Sequence, residues 1–316
     1  MKMPRIGLRA AQALALVLAV SCGEASDIGV PSRDEAFDDG WKAFRAQVME
    51  SPVRPGVFIV EGDIAIYGED ALRKYYKEYM TRASQPLTVN QRPVGSGSSV
   101  FVDDVWTDAA KHSLKYCISN AFGAQKNLVI AAMATAAESW SRRVGVTISY
   151  IPAEDGMCAQ EPPDFNLNVT FDVKPSPSAE EHEYNALAFF PSAARHEARL
   201  NISPNAFTTS SGGRTLEGIL RHELGHVLGF RHEQMWAEPI GVCADDILGE
   251  DTGAPGYGDD GRLLVGGYDA VSVMFSLKCR PPGSVGGYVQ TETDYRAAIS
   301  LYGLAPSLIV SAVTQL

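Results

Sequence analysis

The chain has 316 residues, 45% of them hydrophobic and 21% charged, with a formal net charge of −11. This is a globular composition, long enough for one or two domains with a sizeable core that does not depend on metals or disulfides alone. The acidity argues against a nucleic-acid partner and against electrostatic docking on an anionic membrane.

Lys2, Arg5 and Arg9 precede an apolar run, Ala10 to Val20, too short to span a bilayer, which reads as an export signal over residues 1–21. Its removal moves the net charge from −11 to −14. The run ends at Ala19-Val20-Ser21-Cys22-Gly23, which resembles a bacterial lipobox with Cys22 as the lipidated residue; an ordinary signal-peptide cut is the alternative. Localisation is therefore expected to be extracellular or cell-envelope, with membrane contact only through that lipid. Residues 22–34 are small and polar, a flexible tether. Over 35–100 a smaller N-terminal segment and a linker are expected, ahead of a main domain at 101–316.

Within the N-terminal segment, Val57 to Val60 and Ile64 to Tyr67 read as strands around the turn Glu61-Gly62-Asp63, and Glu69 to Met80 as a helix. Residues 90–99, rich in Pro, Gly and Ser, read as the linker. Further on, Leu114 to Ser119 alternates like a strand. Asn127 to Arg143 is helical, with Val129, Met133, Ala136 and Trp140 on one stripe and Gly145 as its stop. Val146 to Ile151 and Phe165 to Val173 read as strands, and Ala186 to Phe190 with Arg199 to Ile202 as an edge hairpin. Thr215 caps a helix to Leu228, and a last helix runs from Thr291 to Tyr302, ended by Gly303. The pattern is an α+β or mixed layered fold rather than a regular βα alternation.

Four cysteines besides Cys22 lie beyond the signal. In an oxidising compartment they imply two disulfides, with Cys117–Cys158 and Cys243–Cys279 the favoured pairings; no close CxxC pair suggests a cysteine zinc site.

The chemistry concentrates in residues 222–233, HELGHVLGFRHE. His222 and His226 are one helical turn apart, so both imidazoles can reach one cation, and Glu223 beside them can serve a water at an open metal position. Gly229 can adopt positive φ, stop the helix and return His232 as a third ligand. Three neutral nitrogens and a fourth open position are the arrangement of a catalytic Zn2+ ion, with Glu223 as general base.

The HExxHxxGxxH pattern followed by a Met-turn resembles the metzincins, and the Phe and Glu after the glycine and third histidine resemble the astacin branch. The resemblance implies a zincin-like catalytic domain with a mixed, mostly parallel twisted sheet, an active-site helix and a C-terminal helix. It implies endopeptidase action on proteins or peptides, and Met274 as an apolar floor beneath the histidines. It also likens Val60 to Ile64 to the propeptide segment in which an aspartate, here Asp63, blocks the metal, so that cleavage within 85–105 would activate the enzyme; a plain Gly-Asp turn is the alternative. Glu233 resembles the glutamate that pairs with the mature N-terminus or a neighbouring side chain; an exposed glutamate is the alternative. The tyrosine that stands two residues after the methionine in astacins is replaced by Ser276; Tyr268 is read as a packing residue, with a substitute role the alternative, and a bacterial branch between astacins and matrixins is the alternative placement.

Residues 250–269, with Glu250, Asp251, Asp259 and Asp260, read as a mobile surface loop; a calcium loop is the weaker alternative. Arg221 and Arg231 read as solvated arginines or as anchors for an acidic substrate group, and His112, His182 and His196 as surface residues. A monomer is expected. The competing function is a catalytically weak zinc-containing binding lipoprotein, against which the intact Glu223 speaks.

Overall fold

The computed structural model describes residues 41, 42, 45, 46, 48–60, 64–79, 88–94, 101–160, 166–177, 184–208, 215–233, 261–263, 269, 271–275 and 288–306. In chain order the strands are β1 (Met49–Glu50), β2 (Val57–Val60), β3 (Ile64–Tyr67), β4 (Thr88–Pro93), β5 (Phe101–Asp103), β6 (Leu114–Ile118), β7 (Ile148–Tyr150), β8 (Phe171–Pro175), β9 (Ala186–Leu187), β10 (Arg199–Ile202) and β11 (Gly261–Leu263). The α-helices are α1 (Glu69–Tyr79), α2 (Lys126–Ser141), α3 (Leu216–Val227) and α4 (Glu292–Tyr302).

The main sheet has the order β7-β6-β8-β10-β9. Its first four strands are parallel, and β9 closes the edge antiparallel to β10. A mixed, mostly parallel sheet with helices is the expected class. Helices α2 and α3 pack together, and one apolar core joins the sheet to α2, α3 and α4. The expected stripe on α2, Val129, Met133, Ala136 and Trp140, is buried there.

Three expectations need correction. Residues 90–93 are not linker: they belong to β4, which pairs with β11 and β5 in a three-stranded sheet. Sequence pattern missed it because Pro93 ends the strand and the partner β11 lies far along the chain, in the stretch read as a mobile loop. The strand expected from Phe165 starts only at Phe171, and Leu167 is 77% exposed. Gly145 does not cap α2, which ends at Ser141 with Arg142 as its C-cap; the Gly145 N–H donates to the Gly303 carbonyl at 2.8 Å, and a Cβ there would strike the Tyr302 carbonyl. It is a close-approach glycine that zips the ends of α2 and α4 together.

Residues 40–316 form one compact unit. Within it the hairpin β2–β3 has Ile59 packed against Tyr184 and Leu187 beside the sheet edge. Cys117 and Cys158 stand in disulfide geometry, Cα to Cα 5.7 Å, as favoured from the sequence. Cys22, Asp63, Cys243, Cys279, Tyr268, Ser276, His182 and the acidic residues of 250–260 lie outside the described residues.

Candidate metal centre

Helix α3 begins as expected: Thr215 Oγ1 accepts the Gly218 N–H at 3.1 Å, and Glu217 sits in the first turn, where negative charge suits the helix N-terminus. Its far end is a Schellman turn. The Phe230 N–H donates to Gly225 O at 2.9 Å and the Gly229 N–H to His226 O at 2.8 Å, with Gly229 at φ +93°. The next carbonyls along α3 are covered as well. Trp106 Nε1 donates to Val227 O at 2.7 Å and the Tyr302 hydroxyl to Leu228 O at 2.6 Å.

The turn delivers His232 to the two helix histidines. Its Nε2 lies 2.9 Å from that of His222 and 3.2 Å from that of His226, and all three rings are buried. The segment 229–233 is held on two sides. On one, the Asn90 N–H of β4 donates to Gly229 O at 2.7 Å, and Val89 bridges Phe230. On the other, the Glu233 N–H donates to Met274 O at 2.9 Å, and Glu233 Oε1 accepts the Asp269 N–H at 2.8 Å. Glu233 is 1% exposed, so of the two expectations the solvated glutamate falls; the carboxylate ties the metal loop to the Met-turn. Arg231, read as a solvated or substrate-anchoring arginine, is only 2% exposed. Arg221 is half-buried, and its carbonyl accepts from Trp140 Nε1 at 3.0 Å. His112 and His196 are exposed, as expected.

Whether these residues fit a metal can be judged from their protons. His222 Nδ1 donates to Val273 O and His226 Nδ1 to Phe230 O, each at 2.7 Å. A carbonyl only accepts, so both rings carry their proton on Nδ1 and turn an Nε2 lone pair inward. A proton on His232 Nε2 could satisfy one of those lone pairs but not both, whereas a divalent cation serves all three. Tetrahedral ligands about 2.05 Å from zinc would sit about 3.3 Å apart, close to the spacings found here. The donor set fits zinc: borderline nitrogen ligands and no thiolate.

Glu223 is buried on α3 beside His222. Met274 is fully buried with its thioether against Gly225, the residue before His226; a Cβ on Gly225 would strike that sulfur. Tyr288, which the sequence reading passed over, packs its ring 5.0 Å from that of His222, with φ +46°. Nothing in its sequence surroundings marked it. Phe190, which follows the edge strand β9, meets His226 edge to face at 5.9 Å, so the sheet edge runs up to the histidine cluster.

A sequence model of the dual-action HEIGH metallo-peptidase family matches residues 117–302. Residues 222–226 here read HELGH, with Leu224 where that name has isoleucine. No curated protein matches the chain. Among solved structures, high choriolytic enzyme 1, a hatching-enzyme zinc-protease of the medaka fish Oryzias latipes, is similar with 16% identity and a TM-score of 0.35, covering 62% of this chain and 96% of that one.

Proposed function

Because the chain belongs to the dual-action HEIGH metallo-peptidases, a metzincin-like family, we propose that it is an exported zinc endopeptidase that hydrolyses internal peptide bonds of proteins. The observation that carries this reading is the convergence of the three Nε2 atoms, two of them with their Nδ1 protons committed to backbone carbonyls. His222, His226 and His232 hold the ion. Bound there, zinc supplies a Lewis acid that acidifies water and polarises a carbonyl. Glu223 takes a proton from the attacking water on a carboxylate oxygen and delivers it to the leaving nitrogen. Met274 packs beneath α3 at Gly225 and keeps solvent from the floor of the site. The edge strand β9 leads to Phe190 at the centre, so an extended peptide pairing with that edge would carry a scissile bond to the ligands. Cys22 as lipid attachment and Asp63 as a latency ligand belong to the same reading of an exported zymogen.

The test is hydrolysis of casein by the purified exported chain, loaded with zinc and then stripped by a chelator. Turnover should vanish on stripping and return with zinc. Glu223→Gln should lower kcat by a factor on the order of 10²–10⁴, the usual worth of a general base, while zinc content stays stoichiometric. Undiminished casein hydrolysis by the metal-free protein would refute the assignment.

A further inference from the structure

The C-terminal helix reaches the metal site through an unbroken run of hydrogen bonds. Asp294, in the first turn of α4, is fully buried. Its Oδ1 accepts the Ser272 hydroxyl at 2.5 Å. Ser272 Oγ accepts the Met274 N–H at 3.0 Å. The same peptide group carries the Val273 carbonyl, which accepts Nδ1–H of His222 at 2.7 Å. The other carboxylate oxygen takes the N–H groups of Val273 and Thr291, each at 2.8 Å.

Each donor in such a run polarises the next. A carboxylate pulling on the Ser272 proton makes Oγ a better acceptor for the Met274 N–H. That deepens the negative charge on the Val273 oxygen, which draws the Nδ1 proton of His222 and enriches Nε2 in electron density. A buried carboxylate set behind a metal-binding imidazole raises the basicity of the ligand and fixes its ring.

Stability alone does not account for an acid at this place. Burial pushes the Asp294 carboxyl above its usual range, against the pull of Ser272, Thr291 and Val273. Holding the charge there therefore opposes folding at neutral pH, where a neutral amide could cap the same N–H groups.

We propose that Asp294 is a positioning residue for the metal: acting through Ser272 and the Val273–Met274 peptide, its carboxylate orients His222 and strengthens Nε2 as a donor. The proposal rests on the zinc reading given above and deepens it. In Asp294→Asn the amide oxygen can still receive the two backbone N–H groups, but the amide nitrogen faces Ser272 as a donor, which reverses the first link. Ser272→Ala removes the middle link. Tyr295→Phe removes the hydroxyl that α4 donates to the Ser139 carbonyl at 3.0 Å, weakening the packing of the helix without touching the relay.

The experiment uses the full exported chain, stripped of metal. Zinc affinity is measured by competition with a chromophoric chelator, the visible spectrum is recorded with Co2+ in place of zinc, and melting is followed without metal. Asp294→Asn and Ser272→Ala should each bind zinc more weakly, by about 10–100-fold for Asp294→Asn, with a shifted Co2+ spectrum. Metal-free Asp294→Asn should melt no lower than wild type, and Tyr295→Phe should melt lower yet keep its zinc affinity. Wild-type affinity in a folded Asp294→Asn, or an equal loss in Tyr295→Phe, would overturn the proposal. If Asp294→Asn does not fold, Ser272→Ala decides by the same criterion. A wild-type chain that binds no zinc would instead refute the function proposed above, so the two failures are distinguishable.

Discussion

At the scale of single residues, Gly229 is required by what stands next to it. Gly229 combines φ +93° with a position where a Cβ would strike the Asp104 carbonyl. Gly229→Ala should cost about 1–2 kcal/mol in left-handed strain alone, with the clash added, and should displace His232. Urea unfolding and a zinc titration on the same variant would register both effects. Asp104 itself is buried and accepts from Asn90 Nδ2 at 3.0 Å and from the Ser192 hydroxyl at 2.7 Å. Burial nonetheless raises its pKa, and the partial neutralisation by Ser192, Asn90 and Arg92 does not reverse this. A raised folded-state pKa means stability that is complete below the unfolded value and is lost as pH rises through the folded value. Asp104→Asn should therefore gain in melting temperature relative to wild type as pH is raised from acid to neutral. A difference that is independent of pH would show that the charge is not the cause.

At the scale of elements, α3 is finished by side chains from outside it. Trp106 covers Val227 O, Tyr302 covers Leu228 O, and the Schellman turn settles Gly225 O and His226 O. Trp106→Phe keeps most of the ring and removes the donor, leaving a buried carbonyl without that bond. A loss of about 1–3 kcal/mol is expected, read by chemical denaturation, with His232 loosened more than His222 because the carbonyl lies on the turn that delivers it. The ion pair Arg143–Glu292 between α2 and α4 is exposed, with Glu292 lowered and Arg143 raised in pKa by their mutual hydrogen bonds. Its breakage by Glu292→Gln should shift the urea midpoint only slightly, because solvent screens an exposed pair. A much larger drop in the urea midpoint would mean the pair does more than join two helix ends.

At the scale of the molecule, the metal loop is braced by chain from both directions along the sequence: β4 before it, and the Met-turn and α4 after it. Strand β4 falls in the stretch where an activating cleavage was expected from the sequence. The Asn90 N–H on Gly229 O and the Val89–Phe230 bridge make it part of the site's support. A chain starting near residue 84 should therefore keep full zinc affinity, whereas one starting near residue 95, which lacks β4, should bind zinc more weakly and melt lower. Equal affinity in the two truncations would show the brace to be dispensable.

The sequence by itself determined whatever rests on spacing along one element. His222, Glu223 and His226 are set by helical period, His232 by the glycine that ends the helix, α2 by its apolar stripe, and α3 and α4 by the Thr215 cap and the Gly303 stop. These signals are local, so they survive without knowledge of the fold. The tertiary structure alone decided which distant groups complete the site. Tyr288 against His222, Trp106 and Tyr302 on the helix carbonyls, β4 paired with β11, Glu233 on the Asp269 N–H, and Asp294 behind the Met-turn all depend on contacts between segments far apart in the chain. A buried hydrogen bond needs a partner at one distance and one angle, and nothing in residue order fixes where a chain returns to supply it.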